Sequence, residues 1–325
     1  MATQQKPIKL YSLEYFAACG LGGILSCGLT HTAVTPIDLV KCNAQANPEH
    51  FKNTVQGFRA IYSGSLTSIG FGSGVSGLLK GWGPTLWGYS LQGLFKFGLY
   101  EVFKHYFAEA VGPENAFKYR DLVYMGASAS AEFFADIALC PFEAIKVRIQ
   151  TSPSFARGII DGLPKFIKAE GFGNLYAGLG PLWARQIPYT IIKFVAFERI
   201  CEAIYAMLPK KKEDMSKTEQ MGVIFAAGYT AGIICGAVSH PADTMVSKIN
   251  KIKSSGSLGE KMKLIYSGTP EAPGIGFAGL WKGFGPRVVM IGTLTGLQWF
   301  IYGAFKAYVG LPTPGASAPA GDKKH

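Results

Sequence analysis

The stretch Pro36-Ile37-Asp38-Leu39-Val40-Lys41 ends the first long apolar run of the chain and has two counterparts further on. The counterparts begin with Pro141-Phe142-Glu143 and with Pro241-Ala242-Asp243, so a proline is followed each time by an acid two positions later. The three prolines stand about 100 residues apart in a chain of 325 residues. One motif recurring at such a period indicates a tandem repeat.

Each copy of the motif is followed by the same sequence of features. A polar segment comes after the proline turn, and a residue pair ending in glycine then opens a second apolar stretch. These pairs are Lys80-Gly81, Ala177-Gly178 and Lys282-Gly283, and an aromatic residue follows them at one register, as Tyr100, Phe197 and Tyr302. The chain is therefore predicted to consist of three two-helix units.

The composition points to a membrane protein. Hydrophobic residues make up 48% of the chain, there are 41 glycines, and only 16% of the residues are charged. A helix of about 20 residues crosses the roughly 30 Å of hydrocarbon in a bilayer. We predict an all-α membrane protein with six transmembrane helices and pseudo-threefold symmetry. The spans are expected at about 15–43, 82–108, 119–150, 181–207, 217–250 and 284–309.

Shorter segments complete the predicted organisation. Amphipathic surface helices are expected at 51–61, 158–169 and 258–265, one between the two spans of each unit. The domain boundaries follow from these elements. We divide the chain into a polar N-terminal tail at 1–12, repeats at 13–110, 111–210 and 211–309, and a disordered C-terminal tail at 310–325.

Several classes of protein are disfavoured by what the sequence lacks. The net charge of +11 comes without any nucleic-acid-binding motif, so anionic lipid and an anionic substrate are the expected partners, and nucleic acid is not. The six cysteines form no CxxC pair, which argues against a disulfide framework and a metal site. No nucleotide-binding loop or catalytic triad order is present, so we expect neither an enzyme nor a cofactor. Loop charges are too evenly divided to set the orientation.

Charged residues inside the spans separate by sign. Four bases, Lys96, Arg185, Lys193 and Arg287, lie in even-numbered spans, whereas Glu132 and Asp136 lie in an odd-numbered one. An ionisable group at membrane depth costs at least about 2.5–3.5 kcal/mol, so such residues usually face a water-filled interior and serve a pathway. We predict that these residues line a central cavity.

Their register suggests two functional sets. Lys96, Lys193 and Gln298 hold equivalent positions in the three units and would form a polar ring with two cations; lysines reaching outward to the membrane surface are the alternative. His31 and Asp136 are likewise equivalent, and with Glu132 they are candidate proton carriers. A histidine that only bonds neighbouring helices remains the alternative for His31. Lys41 and Lys146, each three residues after a repeat acid, can pair between units and close one end of the cavity.

These motifs resemble the mitochondrial carrier family, whose signature is Pro-x-(Asp/Glu)-x-x-(Lys/Arg) followed by (Phe/Tyr)-(Asp/Glu)-x-x-(Lys/Arg). The resemblance covers about residues 15 to 308 and implies six tilted helices in the mitochondrial inner membrane, with both termini toward the intermembrane space. It also implies alternating access, controlled by two salt-bridge networks, and places the short surface helices on the matrix side. The matrix gate would comprise Asp38, Lys41, Glu143, Lys146 and Asp243, and the cytoplasmic gate Glu101, Lys104, Glu198 and Lys306.

Within that family the chain is similar to the branch that carries phosphate. The similarity rests on Thr30-His31-Thr32, Ser130-Ala131-Glu132-Phe133-Phe134-Ala135-Asp136, Arg185-Gln186-Ile187-Pro188-Tyr189-Thr190, His240-Pro241-Ala242-Asp243 and Gly283-Phe284-Gly285-Pro286-Arg287. It implies phosphate import into the matrix with a proton, or in exchange for hydroxide, by a monomer that contacts anionic lipid such as cardiolipin. The family's substrate-contact register falls on Gly88, Arg185 and Met290. The expected substrate ligands are Arg185, Gln186, Lys96, Lys193, Gln92 and Arg287, and for Arg287 an ion pair with an acid near the opposite gate is the alternative.

Three positions depart from the family pattern. Val246 replaces a base in the matrix gate, while Cys201 replaces a base and Gly303 an acid in the cytoplasmic gate. Both networks are thus predicted to be incomplete. Three alternatives to phosphate transport stay open at this point: a carrier of another solute such as copper ions, a basic enzyme or nucleic-acid protein, and a membrane scaffold without transport.

Overall fold

The structure of the protein is a computed structural model that describes residues 8–46, 50–51, 54–249, 258–269, 272–281 and 284–315. Its architecture is helical. The α-helices are α1 (Leu13–Ala33), α2 (Thr35–Ala46), α3 (Thr54–Tyr62), α4 (Gly74–Leu78), α5 (Trp82–Val111), α6 (Pro113–Lys118), α7 (Arg120–Thr151), α8 (Ile159–Glu170), α9 (Leu179–Met207), α10 (Lys217–Ile249), α11 (Leu258–Ser267), α12 (Gly276–Leu280) and α13 (Phe284–Tyr308). Short 3₁₀ turns occupy Thr67–Ile69, Phe172–Tyr176 and Lys212–Asp214.

The six predicted spans are present with shifted ends. The first span is two helices rather than one, because α1 ends at Ala33 and α2 begins at Thr35, next to Pro36. A proline has no N–H to donate to the preceding turn, and here the chain breaks. Pro141 and Pro241, by contrast, lie inside the continuous helices α7 and α10.

Four of the described helices are long and apolar enough to cross a membrane by length and composition. They are α1 and the segments 120–151, 217–245 and 287–308. The helices α5 and α9 are long enough but are not apolar enough to be counted with these four. They are the spans that carry Lys96, Arg185 and Lys193. The charges that dilute their hydropathy are the ones assigned above to the interior.

The predicted surface helices correspond to α3, α8 and α11, one in each unit. The third unit adds a strand pair that the all-α prediction did not include: β1 (Gly268–Thr269) pairs with the antiparallel strand β2 (Ala272–Pro273) in two residue pairs. The pair Lys282-Gly283, used above to define the third repeat, lies outside the described residues.

The six spans form a closed ring in the order α1, α5, α7, α9, α10 and α13, and α13 returns to α1. Glycines allow close approach within the first and third units. A Cβ atom at Gly23 in α1 would lie 2.1 Å from the carbonyl oxygen of Gly93 in α5, and one at Gly232 in α10 would lie 2.8 Å from Cα of Gly292 in α13. Small residues at such contacts are typical of packed transmembrane helices.

The largest buried cluster includes the end of the ring that holds the two chain termini, and it extends as far as Leu139 and Leu182 near the proline motifs. It contains Tyr15 of α1, Phe97 and Tyr100 of α5, and Trp299 and Tyr302 of α13. The described ends of both tails pack against this cluster. Tyr11 stacks on His105 with ring centroids 4.3 Å apart, and Leu311 is 2% exposed.

The predicted disorder of the C-terminal tail does not hold for its first residues. Residues Leu311, Thr313, Pro314 and Gly315 are buried, so the first part of the tail predicted to be disordered is packed on the helices. The physical reason is a turn at Gly310, whose φ of 76° reverses the chain after α13. Residues 1–7 and 316–325 lie outside the described residues.

Candidate functional site

A buried polar layer crosses the ring about halfway along the spans. On one side, Lys96 of α5 forms an ion pair with Glu132 of α7, with Nζ 2.9 Å from Oε2. The amide of Gln92, one turn before Lys96, donates to Glu132 at 3.0 Å and to Asp136 at 3.3 Å. All four side chains are buried, so units 1 and 2 meet here through charged and hydrogen-bonded groups.

The other side of the layer joins all three units through one amide. Gln298 of α13 accepts a hydrogen bond from Lys193 of α9 at its oxygen, and its nitrogen lies 3.1 Å from Nε2 of His31 in α1. Because the amide nitrogen can only donate, this contact is a hydrogen bond when His31 Nε2 carries no proton. A proton added there would remove the acceptor.

The predicted ring of Lys96, Lys193 and Gln298 therefore faces the interior. Lys96 is 5% exposed and Lys193 is 3% exposed, and each contacts a residue of another unit. Lysines reaching toward the membrane surface would be exposed at their amino groups, so the structure does not support that alternative. His31, which is half-buried, contacts Gln298 of another unit.

Tyr89 of α5 is a site residue that the sequence analysis missed. Its ring stacks on that of His31 with centroids 3.7 Å apart and an interplanar angle of 8°. The Nζ atom of Lys146 also lies over the Tyr89 ring, 5.1 Å from its centroid. The spacing of Tyr89, Gln92 and Lys96, three and four residues apart, places them on one helical face, and this periodicity was available in the sequence.

Arg185 of α9 lies closer to the end of the ring where the proline motifs stand. Its side chain is exposed, yet the guanidinium is within electrostatic range of Lys41 and Tyr89, both from unit 1. Arg185 is thus accessible and lies close enough to two residues of unit 1 to interact with them electrostatically. Gln186 beside it is half-buried.

The other two positions of the expected substrate register do not provide polar groups. Gly88 packs against α7, since a Cβ atom there would lie 2.7 Å from Cβ of Phe142. Met290 is half-buried in α13 and has an apolar side chain. Of the three register positions, only Arg185 offers hydrogen-bond donors to an anion.

The proline motifs contribute a charged cluster, which we call the proline network and which corresponds to the predicted matrix gate. Lys146 bridges units 1 and 2 through Asp38 at 3.3 Å and contacts its own Glu143 at 3.5 Å. Asp243 pairs with Arg287 of the sixth span, which also donates to Ser239 at 3.3 Å. Lys41 has no ion-pair partner among the described residues.

This arrangement bears on two of the expected assignments. Arg287 pairs with a gate acid, which was the alternative to its substrate role, and so stands in for the base missing at position 246. Lys41, expected to pair in the gate, is exposed and faces the same interior as Arg185. Asp243, an expected gate residue, is paired within its own unit.

A second cluster, which we call the terminal network, lies at the end of the ring near the chain termini. Glu101 contacts Lys104 at 2.9 Å and Lys306 at 3.5 Å, and Lys104 lies 4.0 Å from Glu198. Two phenols add to the cluster. Tyr15 accepts from Lys306 at 3.4 Å, and the hydroxyl of Tyr100 donates to Glu198 at 3.4 Å.

Aromatic rings separate the terminal network from the polar layer. Phe197 stacks on Trp299 with centroids 3.6 Å apart, and Phe194 and Phe97 lie 5.1 Å and 5.3 Å from the same indole. The rings come from α5, α9 and α13, one span from each unit. Packed apolar rings exclude water, so this end of the ring is sealed.

The site can therefore hold an anion and exchange protons. Cationic side chains at two depths face an interior that is sealed beneath them, and a guanidinium offers two parallel donors to the oxygens of an anion. Two carboxylates and an imidazole in the polar layer can each accept a proton. Among the described residues, no group of three or more His, Cys, Asp or Glu residues is arranged to hold a metal ion.

Comparison with known proteins places the chain in one family. The sequence profile described as "Mitochondrial carrier protein" matches residues 12–111, 119–207 and 217–312, which together are most of the chain. The three matched segments follow one another in tandem. The repeats found from the proline motifs are thus three copies of one known unit.

Curated relatives are similar over most of their length. "Mitochondrial phosphate carrier protein 3" of Arabidopsis thaliana is 53% identical over 97% of this chain and 80% of the relative. A "Probable mitochondrial phosphate carrier protein" of Schizosaccharomyces pombe is 50% identical over 97% of both chains. "Solute carrier family 25 member 3" of Homo sapiens is 51% identical over 94% of this chain and 80% of the relative.

Proposed function

This chain belongs to the mitochondrial carrier family, and from that premise we propose that it transports inorganic phosphate across the mitochondrial inner membrane into the matrix. Relatives that share about half of its residues are named as phosphate carriers. The observation that supports the proposal is that Lys96 and Lys193 are buried in contacts between units, while Arg185 is exposed within electrostatic range of unit 1. Phosphate is an anion, and these cations face the space through which it would pass.

We assign Arg185 as the first phosphate ligand. It is exposed to the interior and has no ion-pair partner among the described residues, so its donors are available to a substrate. A planar guanidinium matches two phosphate oxygens, and Gln186 can add a neutral hydrogen bond. Lys193 and Lys96 lie deeper, next to the sealed end, where they can take over the anion.

Proton coupling is proposed from the partners of these two lysines. Lys96 is neutralised by Glu132, so a proton on Glu132 frees the charge of Lys96 for phosphate. A proton on His31 likewise removes the acceptor that Gln298 uses while it holds Lys193. Linkage is reciprocal, so a bound anion must favour proton uptake to the same extent.

Asp136 supports the proton assignment in another way. It is fully buried, and its Oδ2 atom has no hydrogen-bond partner among the described residues. A buried carboxylate oxygen without a partner is costly, and a proton lowers that cost. Gln92 connects Asp136 to Glu132, so the two carboxyl groups can share one proton. Import of phosphate with a proton and exchange of phosphate for hydroxide give the same net balance of charge and protons, so the assignment is the same for both.

Alternating access is proposed from the two networks. The terminal network is closed, and the proline network is partly open, so each would be broken in turn as the interior changes sides. In this proposal the proline network is the matrix gate and the termini face the intermembrane space. An impermeant protease added to intact mitoplasts should then remove the tails from outside.

The remaining partners are proposed from the charge of the chain and the connectivity of its helices. A net charge of +11 and amphipathic helices at the proline end favour an anionic lipid such as cardiolipin. A complete ring of six spans in one chain is consistent with a functional monomer. No observation favours copper ions over phosphate, since the described residues contain no cluster of metal-binding side chains.

Uptake of labelled phosphate into liposomes that contain the purified protein tests the proposed function. Arg185→Ala should lower the initial rate roughly hundred-fold, the effect of losing about 3 kcal/mol of charged hydrogen bonding. Arg185→Lys should recover part of the rate, because it keeps the charge but not the two-pronged geometry. Arg157→Ala, which removes an arginine from the surface loop before α8, is the matched control and should leave the rate unchanged. Uptake by Arg185→Ala at the normal rate would reject the assignment.

A further inference from the structure

The terminal network has a gap between units 2 and 3. Glu101 and its partners connect unit 1 to units 2 and 3, but the base expected in unit 2 is Cys201 and the acid expected in unit 3 is Gly303. Cys201 is fully buried, and Gly303 packs against α10. No ion pair can form between these two positions.

The C-terminal segment Leu311–Gly315 fills this gap. After the turn at Gly310 it folds back over the ring, and Leu311 joins the apolar cluster beside Tyr302. The hydroxyl of Thr313 donates to Oε1 of Gln220 at 2.8 Å, and a Cβ atom at Gly315 would lie 2.4 Å from the sulfur of Cys201. Backbone and side chain from the tail thus cover the position where a base is missing.

Lys212, in the linker between units 2 and 3, supplies the missing charge. Its Nζ atom donates to the carbonyl oxygen of Thr313 at 2.9 Å and to that of Gly315 at 2.6 Å. Burial lowers the pKa of Lys212 from its ordinary value, and the nearby charge of Glu198 opposes that shift. The ammonium group of Lys212 therefore replaces the positive charge that is missing at position 201. The two backbone carbonyl groups replace the hydrogen-bond acceptor that is missing at position 303.

We propose that Leu311–Gly315 and Lys212 form a lock that replaces the third ion pair and holds the terminal end of the carrier closed. The inference rests on the proposed alternating access. Opening this end separates units 2 and 3, so Lys212 must release both carbonyls and the tail must leave Cys201. Weakening the lock shifts the population toward the state that is open at the terminal end.

The lock can be tested by measuring the kinetics of phosphate transport from each side of the membrane, with the full chain in liposomes. Two variants that each lose one positive charge are compared. Lys212→Met removes both bonds, whereas Lys211→Met removes a neighbouring lysine for which no side-chain bond is found among the described residues. Apparent affinity scales with the fraction of binding-competent carrier. Lys212→Met should lower the half-saturating phosphate concentration at the terminal side about ten-fold without lowering that at the opposite side, and Lys211→Met should lower neither.

Truncations give a second test, in case Lys212→Met folds poorly. A chain ending at Gly310 lacks the lock, and a chain ending at Gly315 keeps it, so only the first should show the one-sided shift. The rate at which an impermeant maleimide modifies Cys201 from the terminal side, measured by mass spectrometry, should rise in the same variants. This labelling does not require phosphate transport, so it separates a failed lock from a failed function. Equal behaviour of the two truncations, or of Lys212→Met and Lys211→Met, would overturn the proposal.

Discussion

The terminal network and the proline network contain the same kinds of residue but differ in their contact with water. The side chains of Glu101, Lys104, Glu198 and Lys306 are 6%, 10%, 4% and 3% exposed. In the proline network the base Lys146 is 5% exposed, but its partners Asp38 and Glu143 are 30% and 25% exposed, and the paired Asp243 and Arg287 are 26% and 21% exposed. The ring is therefore closed at one end and partly open at the other.

The difference has an energetic consequence. A buried ion pair is strongly destabilised when one partner is removed, by about 3–5 kcal/mol, because the other charge is left without compensation. An exposed pair contributes only about 0.2–1 kcal/mol. The terminal network, together with the aromatic rings beneath it, should therefore account for most of the energy that holds this conformation.

Removing the central aromatic ring should have the largest effect. Trp299 is 1% exposed and touches three phenylalanines, so Trp299→Ala should lower the free energy of unfolding by about 3–5 kcal/mol. Trp183→Ala is the matched control, since Trp183 is half-buried and stacks on Phe133 alone among the described rings. The midpoint of thermal unfolding in detergent measures both. Equal losses of stability in the two variants would show that the rings around Trp299 contribute no more than an ordinary aromatic contact.

A matched pair of glutamate substitutions compares the two networks directly. Glu101→Gln leaves Lys104 and Lys306 buried without their common partner, so we expect a loss of about 3 kcal/mol. Glu143→Gln removes a half-buried carboxylate from Lys146, which keeps Asp38, so the expected loss is below about 1 kcal/mol. Thermal unfolding of the two variants gives the comparison. The opposite order would contradict the closed and open assignments.

The smallest of these effects concerns the two lysines of the proline network. Lys146→Met removes contacts to Asp38 and Glu143 and should cost about 1.5 kcal/mol. Lys41→Met should cost less than about 0.5 kcal/mol, because Lys41 is exposed and has no ion-pair partner among the described residues. Chemical denaturation of both variants in detergent provides the measurement. A larger loss for Lys41→Met would mean that it, and not Lys146, holds this end together.

Much of the fold could be predicted because the repeat supplies its own alignment. Residues equivalent in three copies, such as Lys96, Lys193 and Gln298, must meet around a central axis, and the structure joins two of them directly. The break at Val34 was not predictable in the same way, since Pro141 and Pro241 are tolerated inside helices. Whether a proline bends or breaks a helix depends on the packing around it.

The sequence was sufficient to predict most residues of the candidate site, but not which of these side chains contact one another. The sequence indicated that Arg287 lines the cavity and that Lys41 pairs in the gate, yet the pairing of Arg287 with Asp243 depends on side-chain reach across neighbouring helices. The stacking of Tyr89 on His31 depends likewise on how α1 and α5 pack. The folded tail was missed because Pro, Gly and Ala composition resembles that of disordered segments, whereas its order comes from bonds to the distant Lys212 and Gln220.

The most direct test of the account is phosphate uptake into liposomes with and without an acidic exterior, compared between the wild-type protein and Glu132→Gln. Glu132 is neutralised by Lys96 in the buried layer, so its protonation is the step proposed to couple the two substrates. Acidification should accelerate wild-type uptake, and Glu132→Gln should still exchange phosphate for phosphate while losing that acceleration. Wild-type uptake indifferent to the gradient, or acceleration that persists in Glu132→Gln, would contradict the coupling that we assign to this layer.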